Sequence, residues 1–309
     1  MSEGSAHHPG PSPYGGQAVI EGVMMRGRET CAVAVRKESG EIVITVRPVD
    51  SLATRYPALN KPVLRGVVAL YDTLRLGIWA IQWSANALLD KPTSPWTSIT
   101  AALLALLLFL FIPERLAAGT KHWLDIQASW QVSTIEGLIR FAIFGLYFLA
   151  VSRLKDVRRI FRYHGAEHRT INAFEAGVPL EVERVQQFSS IHERCGTNFI
   201  VVVLLVTLVV FAGLPWGHFV GRILLRLLLL PIIAGISYEV IKAAARRPDL
   251  GVLRWMVVPG LWLQRLTTGA PDDGQVEVAI RSFNEVRRAE AEQAAVGSES
   301  AAEQAGAAG

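Results

Sequence analysis

Four long apolar runs constrain the fold of this chain of 309 residues more than any other feature. They occupy residues 101–112, 135–151, 199–214 and 223–241. Most of them come close to the roughly 17–25 residues that a helix needs to cross a hydrocarbon core of about 30 Å. Because the hydrophobic residues, 51% of the chain, cluster in these runs, the sequence predicts a mainly α-helical membrane protein with about four transmembrane helices.

The segments before these runs predict a small folded region. Residues 1–16 are rich in Gly, Pro, Ser and His, which indicates disorder. Residues 17–60 contain β-favouring runs in which apolar and more polar positions alternate, which predicts a β meander on the cytoplasmic side. Residues 61–92 have a broad apolar face beside charges at helical spacing, which predicts an amphipathic helix in the membrane interface.

The predicted spans divide the rest of the chain. The first two spans fill residues 97–153, and the third and fourth fill residues 198–242. Between these pairs, residues 154–197 form a cytoplasmic helical loop that carries the candidate metal site. Residues 243–293 predict an interfacial segment followed by a helix, and residues 294–309 predict a disordered tail.

Positive charges set the predicted orientation. The second span is followed by Arg153, Lys155, Arg158, Arg159, Arg162 and Arg169. This density marks the cytoplasmic side, so four crossings place both termini in the cytoplasm. Arg222 and Arg226, at the start of the fourth span, oppose this orientation unless their side chains reach the outer headgroups. Since the basic residues concentrate beside the spans, the net charge of +4 predicts contact with the lipid bilayer and no nucleic acid partner.

The residues that carry chemistry form two groups. The first is the string from His164 through Glu167 to His168. If residues 158–176 are helical, the two histidines are i,i+4 neighbours with Cβ atoms about 5–6 Å apart, and they can share one metal ion. Glu167 lies close to this face, where it could be the base for a metal-bound water or hold one imidazole by a hydrogen bond. The pattern H-x-x-E-H is that of the inverzincin metalloproteases.

A third ligand must come from outside this helix, and the second group supplies it. His192 and Cys195 are three positions apart and precede a glycine, so a tight turn can direct both toward one ion. The site then holds either three histidines or two histidines and a cysteine, with a position left for water. Imidazole and thiolate favour a divalent metal of borderline softness, for which zinc is the best candidate.

Three further residues are candidate outer contacts or substrate contacts: Glu175, Glu239 and Arg194. Glu175 shares the azimuth of the two histidines but lies about 10 Å along the axis from His168, too far for direct ligation. Glu239 is an ionisable group near the inner end of the fourth span, and an ion pair with Lys242 or Arg246 is its simpler interpretation. No residue is assigned to an organic cofactor.

A simpler interpretation of the metal residues also exists. A five-residue motif recurs by chance, and histidines beside an arginine-rich membrane border often only hydrogen-bond to headgroups or carboxylates. The chain has only two cysteines, Cys31 and Cys195, which give no disulfide framework. A lone cysteine is more often a small buried apolar residue than a ligand.

Six strings in this order resemble the YqhQ-like bacterial membrane proteins, a family of unknown function described as predicted metal-dependent enzymes. They are GGQAVIEGVMMRG (15–27), KPVLRGVVAL (61–70), YHGAEHRTINAFEAG (163–177), HERCGTNF (192–199), ISYEVIK (236–242) and PGLWLQRLTTGAP (259–271). The resemblance implies a multi-span protein of the bacterial inner membrane with a metal centre at His164, His168, His192 and Cys195. It implies no substrate.

Three functions compete. The leading hypothesis is a metal-dependent hydrolase that acts on an unknown substrate at the cytoplasmic membrane face, with Glu167 as the base. The main alternative is a non-catalytic scaffold or assembly factor, in which four protein ligands hold a structural ion. The third is a transporter that uses Glu239, for which four spans without an inverted repeat require a homo-oligomer.

Overall fold

The computed structural model describes residues 14–89, 94–192, 195–214, 218–246 and 251–307. The strands are β1 (Gly15–Val19), β2 (Gly22–Arg26), β3 (Thr30–Arg36) and β4 (Ile42–Pro48). The helices of the first half are α1 (Leu52–Arg55), α2 (Leu64–Leu88), α3 (Pro95–Leu106), α4 (Ile112–Trp123) and α5 (Ser129–Val151), with a 3₁₀ turn at Pro57–Leu59 and a π-helical turn at Leu107–Phe111. They are followed by α6 (Lys155–Glu175), α7 (Val182–Val185), α8 (Gly196–Ala212), α9 (Phe219–Arg246), α10 (Gly251–Thr267) and α11 (Asp273–Ala307). The predicted mainly α fold with a small N-terminal meander is confirmed.

The strands form one antiparallel sheet in the order β1-β2-β3-β4. A two-residue turn joins β1 to β2 and places Glu21 in the left-handed region at φ 54°. Because β1 begins at Gly15, the last two residues of the segment predicted to be disordered belong to the sheet. Each sequential pair of strands is joined by a short turn, as expected of a meander.

Both faces of this sheet are covered, which the alternating sequence pattern did not predict. On one face, Val23 and Met25 of β2 pack in a cluster with Phe283 of α11. On the opposite face, Val33 of β3 packs in a cluster with Ala80 of α2. Alternation predicts one buried face, whereas β3 is buried at every position except the last. The second cover comes from α2, the helix that the sequence assigned to the membrane interface.

Helix α2 therefore has two different sides. Its buried side packs on the sheet and, near its N-terminus, on α9, where a Cβ added to Gly66 would lie 2.9 Å from the Cα of Gly235. Its other side exposes four large apolar side chains at helical spacing. We call this surface the apolar stripe of α2: Tyr71, Leu74, Ile78 and Ile81. The stripe is the side of the amphipathic helix that is available to the membrane interface.

Three helices are long and apolar enough to cross a membrane, namely Ile99–Trp123, Ser129–Val151 and Phe219–Ala244. The shorter apolar helix α8 has 17 residues, about 25 Å at 1.5 Å per residue. It packs against α5, α9 and α10. These helices occupy the four predicted spans, and their length and apolar composition support a membrane protein.

A proline in the first span leaves a backbone carbonyl oxygen of this helix available to a side chain from the second span. Pro113 has no N–H to donate to the carbonyl oxygen of Phe109, four residues earlier, and a π-helical turn precedes it. Arg140 of α5 donates from Nε to this carbonyl oxygen at 3.0 Å. A backbone group that is costly to leave unpaired in lipid is thereby satisfied inside the bundle.

Arg140 belongs to a set of charged side chains that we call the bundle network: Glu114, Glu136, Arg140, Arg222 and Arg226. Glu136 pairs with Arg140 and Arg226, and Glu114 pairs with Arg222. The side chains of Arg222 and Arg226 do not extend outward to headgroups, because they are only 10% and 4% exposed and pair inside the bundle. Intramembrane charges pair in this way because an isolated charge is costly in lipid.

The C-terminal region is more helical than predicted. Helix α11 continues to Ala307, although residues 294–309 were predicted to be a disordered tail. The abundant Ala, Glu and Gln of this tail have high helix propensity. The prediction of disorder rested on low hydrophobicity alone and did not include this propensity. Residues 308–309, and residues 1–13 of the N-terminal segment predicted to be disordered, lie outside the described residues.

Replacing Phe283 by Ala should destabilise the packing of α11 on the sheet. The Phe283 side chain is fully buried and its ring contacts those of Tyr14 and Phe174. Truncation of a buried Phe costs about 3–5 kcal/mol. We expect the free energy of unfolding of the sheet to fall by about this amount, measured by denaturant-dependent proteolysis of the purified protein in detergent. Arg281→Ala, on the exposed side of the same helix, should change it by less than about 1 kcal/mol; equal losses would show that α11 does not hold the sheet.

Candidate metal centre

Helix α6 carries the first candidate group on its buried side. His164 and His168 lie one turn apart, with ring centroids separated by 4.4 Å. Gly165 permits the close packing of this turn, because an added Cβ would lie 2.0 Å from the carbonyl oxygen of Gly269. The helix ends at Glu175, and Gly177 follows at φ 70°, the left-handed conformation that commonly terminates a helix at glycine.

Two backbone carbonyl groups fix the orientation of both imidazoles. His164 Nδ1 lies 2.9 Å from the carbonyl oxygen of Thr267, and His168 Nδ1 lies 2.6 Å from that of Ser190. A carbonyl oxygen only accepts, so Nδ1 carries the proton in each ring. Burial lowers the pKa of both rings, that of His168 to about 3, and they are neutral near pH 7. Each Nε2 therefore presents a lone pair, the form in which histidine binds metals.

Cys195 brings a sulfur atom to these lone pairs. Its Sγ lies 3.3 Å from His164 Nε2. Cys195 is the N-cap of α8, where the N–H of Thr197 donates to Sγ at 3.4 Å. Burial raises the pKa of the thiol to about 11, so a neutral thiol is favoured in the absence of a cation. The position of Cys195 is thus set by the start of an apolar helix of the bundle.

Glu167 lies beside the group with one carboxylate oxygen unsatisfied. The carboxylate accepts the N–H of Gly16, and a Cβ added to Gly16 would lie 3.0 Å from Glu167 Cγ. Oε2 has no hydrogen-bond partner and lies 3.9 Å from His164 Nε2. Burial raises the pKa of Glu167 to about 8. An unsatisfied, buried acceptor beside the His164 imidazole fits a proton, a water molecule or a cation at this point.

His192 was predicted as a further ligand, and its ring lies beside the group, with its centroid 5.8 Å from that of His168, but it is not one of the three residues whose donor atoms converge. Its Nε2 lies 3.4 Å from Glu175 Oε2. The Gln264 side chain holds this turn by binding both the N–H and the carbonyl oxygen of His192, each at 3.0 Å. Among the described residues, the donor atoms that lie within 4.8 Å of one another belong to His164, His168 and Cys195. Of the two alternatives that the sequence left open, this geometry matches two histidines and one cysteine.

The remaining predicted residues lie in three different places. Glu175 contacts His192 and not the three donor atoms. Glu239 pairs with Arg65 and accepts the N–H of Val63, so its partner is neither Lys242 nor Arg246, and it does not line the cavity described below. Arg194 lies outside the described residues.

Sequence reasoning missed the residues that position the ligands. Gln264 holds the His192 turn and also donates to Asn198 of α8 at 3.1 Å, while Thr267 supplies the carbonyl oxygen for His164. Both residues lie in the string PGLWLQRLTTGAP, and this was the available signal. A buried glutamine close to the C-terminus of an apolar helix requires polar partners.

The group opens into a cavity of about 500 Å³. Its walls are the start of β1, the middle of α2, the buried side of α6 and the start of α8. The sheet and the membrane bundle therefore both contribute to it. Cavities of this size are typical of small-molecule sites.

Glu167→Gln should stabilise the metal-free protein, and the gain should grow as the pH rises. The folded carboxyl group has a pKa of about 8 against an ordinary value of 4.5, so its contribution to stability is present below about pH 4.5 and is lost as the pH rises toward 8. Glutamine keeps the Gly16 contact without this loss. We expect a difference in unfolding free energy of about 3–5 kcal/mol at pH 8 and little at pH 4.5, measured after chelator treatment. Glu181→Gln, on the surface, should show no such trend; a pH-independent difference for Glu167→Gln would contradict its burial.

Comparisons with known proteins give a family and no activity. The family model described as "Protein of unknown function (DUF1385)" matches residues 61–289. The "Uncharacterized protein YqhQ" of Bacillus subtilis (strain 168) is 35% identical over 310 residues, which cover 92% of this chain and 95% of that relative. No solved structure matches the chain. The resemblance predicted from the sequence strings is confirmed, and the chain belongs to the DUF1385 family of proteins of unknown function.

Proposed function

We propose that this protein is a metal-dependent membrane hydrolase with a zinc centre at His164, His168 and Cys195. The observation that carries the proposal is the convergence of their three donor atoms within 4.8 Å of one another. Zn–N bonds of about 2.0–2.1 Å and Zn–S bonds of about 2.3 Å put the donors of one ion at most about 4.4 Å apart. Small side-chain rotations would close the group to this size.

The number and type of ligands support an enzyme. Imidazole and thiolate suit zinc better than manganese or iron, which prefer a carboxylate in place of the sulfur. Three protein ligands leave a fourth position open, as in catalytic zinc sites. When bound, the metal would supply an activated water for attack on a substrate.

Glu167 is the residue that would accept the proton from this water. Its Oε2 has no other hydrogen-bond partner and lies on the His164 side of the group. The N–H of Gly16 holds the carboxylate in this position. Beside a cation, the carboxylate would be favoured in its ionised form, which can take up a proton.

The two alternatives have less support. A structural ion in a scaffold protein needs four protein ligands, and His192, the residue predicted for this role, is directed toward Glu175. A transporter would use Glu239, and this carboxylate is paired with Arg65.

We also propose that the group lies on the cytoplasmic side of a bacterial inner membrane, together with both termini. The exposed cations at the start of α6, Arg158, Arg159 and Arg162, support this orientation. Helix α6 follows the span α5 after only three residues, so the histidines lie close to the same membrane border. The apolar helices fit association with a lipid bilayer.

The purified protein should contain about one zinc ion per chain. His164→Ala, His168→Ala and Cys195→Ser should each retain less than about a tenth of this amount, because each removes one of three ligands. Elemental analysis after gel filtration in detergent measures the content, and circular dichroism confirms that each variant is folded. The matched control is His192→Gln, which should retain most of the metal because His192 is not one of the three residues whose donor atoms converge.

Two results would contradict this set. A zinc content of the wild-type protein far below one ion per chain would contradict the proposed metal centre. Complete loss of metal from His192→Gln would instead indicate four protein ligands and a structural centre.

Cobalt substitution should show that the fourth position is open. The visible spectrum of Co(II) responds to coordination number, so added thiocyanate should shift it in the wild type. Glu167→Gln should give the same spectrum and the same shift, because Glu167 is not a ligand. Cys195→Ser should lack the sulfur-to-cobalt charge-transfer band. A wild-type spectrum that does not respond to thiocyanate would favour a closed shell and the assembly-factor alternative.

A further inference from the structure

The cavity beside the three donor residues is larger than an ion and a water molecule require. Its volume of about 500 Å³ lies within the roughly 300–1,000 Å³ of sites for small molecules. Part of its wall is apolar, formed by Leu76 of α2 and by Ile160 and Phe161 of α6. The cavity therefore has room for a ligand with a substantial apolar part.

One fixed positive charge lies in the same wall. Arg26, at the end of β2, lines the cavity and is partly buried. Within the described part of the chain, no carboxylate forms an ion pair with it, whereas Arg36 of β3 pairs with Glu277. Among the described residues that line the cavity, the acidic one is Glu167. Its carboxylate accepts the N–H of Gly16 and does not pair with Arg26. A partly buried guanidinium without a carboxylate partner favours an anionic ligand, and its planar N–H donors match the geometry of phosphate.

The start of α8 adds to this positive potential. Gly196 and Thr197 line the cavity. The N–H of Thr197 donates to Cys195 Sγ, whereas the N–H of Gly196, the first residue of the helix, has no acceptor within the helix. The N-terminal end of a helix also attracts anions through its dipole. Arg26 and the start of α8 thus make the cavity suited to a phosphate group.

The cavity reaches the surface beside an apolar face. Thr73 of α2 both lines the cavity and is exposed. Leu74, the next residue, is about 100° further around the helix and belongs to the apolar stripe of α2. The stripe side chains Leu74 and Ile78 are 55% and 51% exposed. The mouth of the cavity therefore borders a surface that an alkyl chain would cover favourably.

We infer that the cavity binds a membrane lipid with a phosphate headgroup. The phosphate lies at Arg26 and the start of α8, and an acyl chain passes Thr73 onto the apolar stripe of α2. Calling this lipid the substrate rests on the proposed function, whereas its binding requires no metal. The apolar path from the cavity to the stripe selects a lipid over free phosphate. An extended peptide along the edge strand β1 would leave Arg26 without an anion.

The test measures how lipid protects Cys195, which lines the same cavity, from alkylation. The full chain is stripped of metal and placed in nanodiscs of phosphatidylcholine, alone or with added phosphatidic acid. The alkylation rate is read on the Cys195 peptide by mass spectrometry. Phosphatidic acid should slow it at least about fivefold, and inorganic phosphate added to phosphatidylcholine discs should slow it much less.

Two pairs of variants locate the effect. Arg26→Gln should weaken protection by about 10–100-fold in lipid concentration, the loss expected for a charge-assisted hydrogen bond. Arg28→Gln removes the same charge two residues away at an exposed position. In this variant the lipid should protect Cys195 as well as in the wild type. Thr73→Trp should block the mouth and change the rate with and without lipid, while Gln82→Trp, exposed on the same helix, should not.

The other outcomes overturn either the inference or the proposed function. Equal protection in Arg26→Gln and Arg28→Gln would assign the effect to surface charge. Protection by inorganic phosphate as strong as by phosphatidic acid would indicate a free-phosphate site, and protection by an unstructured peptide alone would indicate a peptide site. A chain that binds zinc but shows no lipid protection would refute the lipid and leave the proposed function standing. A chain that shows lipid protection without binding zinc would refute the proposed function and leave the lipid site standing.

Discussion

Polar groups inside a bilayer have no water to bind, and this constraint organises the membrane bundle. The carbonyl oxygen that Pro113 leaves unbound accepts from Arg140, Arg140 pairs with Glu136, and Glu136 also pairs with Arg226. One chain of contacts thus joins the first, second and last spans. The ring of Phe211, near the end of α8, lies against the guanidinium groups of both Arg140 and Arg226. An almost wholly apolar helix is thereby held in a defined position by its neighbours' charges.

The position of α8 matters because its first turn belongs to the candidate site. Cys195 caps α8, Thr267 at the end of α10 binds the ring of His164, and Gly16 of the sheet binds Glu167. Helix α6 alone supplies two imidazoles without fixing their orientation. The bundle and the sheet, which both contact α6, complete the group. The site exists only at the junction of these two parts of the molecule.

Local periodicity predicted the elements, and tertiary packing determined what it could not. The i,i+4 spacing of His164 and His168 was enough to place them on a common face, because a helix permits no other arrangement. The turn that carries His192 is oriented by Gln264, 72 residues later in the chain, so its spacing could not show which way the ring points. The packing of α2 on the second face of the sheet could not be predicted for a similar reason, since an amphipathic helix has the same sequence pattern whether it faces lipid or a sheet.

Glu167 differs from the buried carboxylates Glu114 and Asp72 in having no side-chain hydrogen-bond partner. Glu114 and Asp72 also leave one buried oxygen without a partner, but their other oxygen has a side-chain partner: Glu114 pairs with Arg222, and Asp72 accepts from Ser51. Glu167 is equally buried but has only a backbone N–H, although burial of such a carboxyl group costs stability at neutral pH. A glutamine would satisfy the same contact without this cost, so folding alone does not account for the acid. Its place beside two neutral imidazoles and a thiol is explained if the acid acts on something bound there.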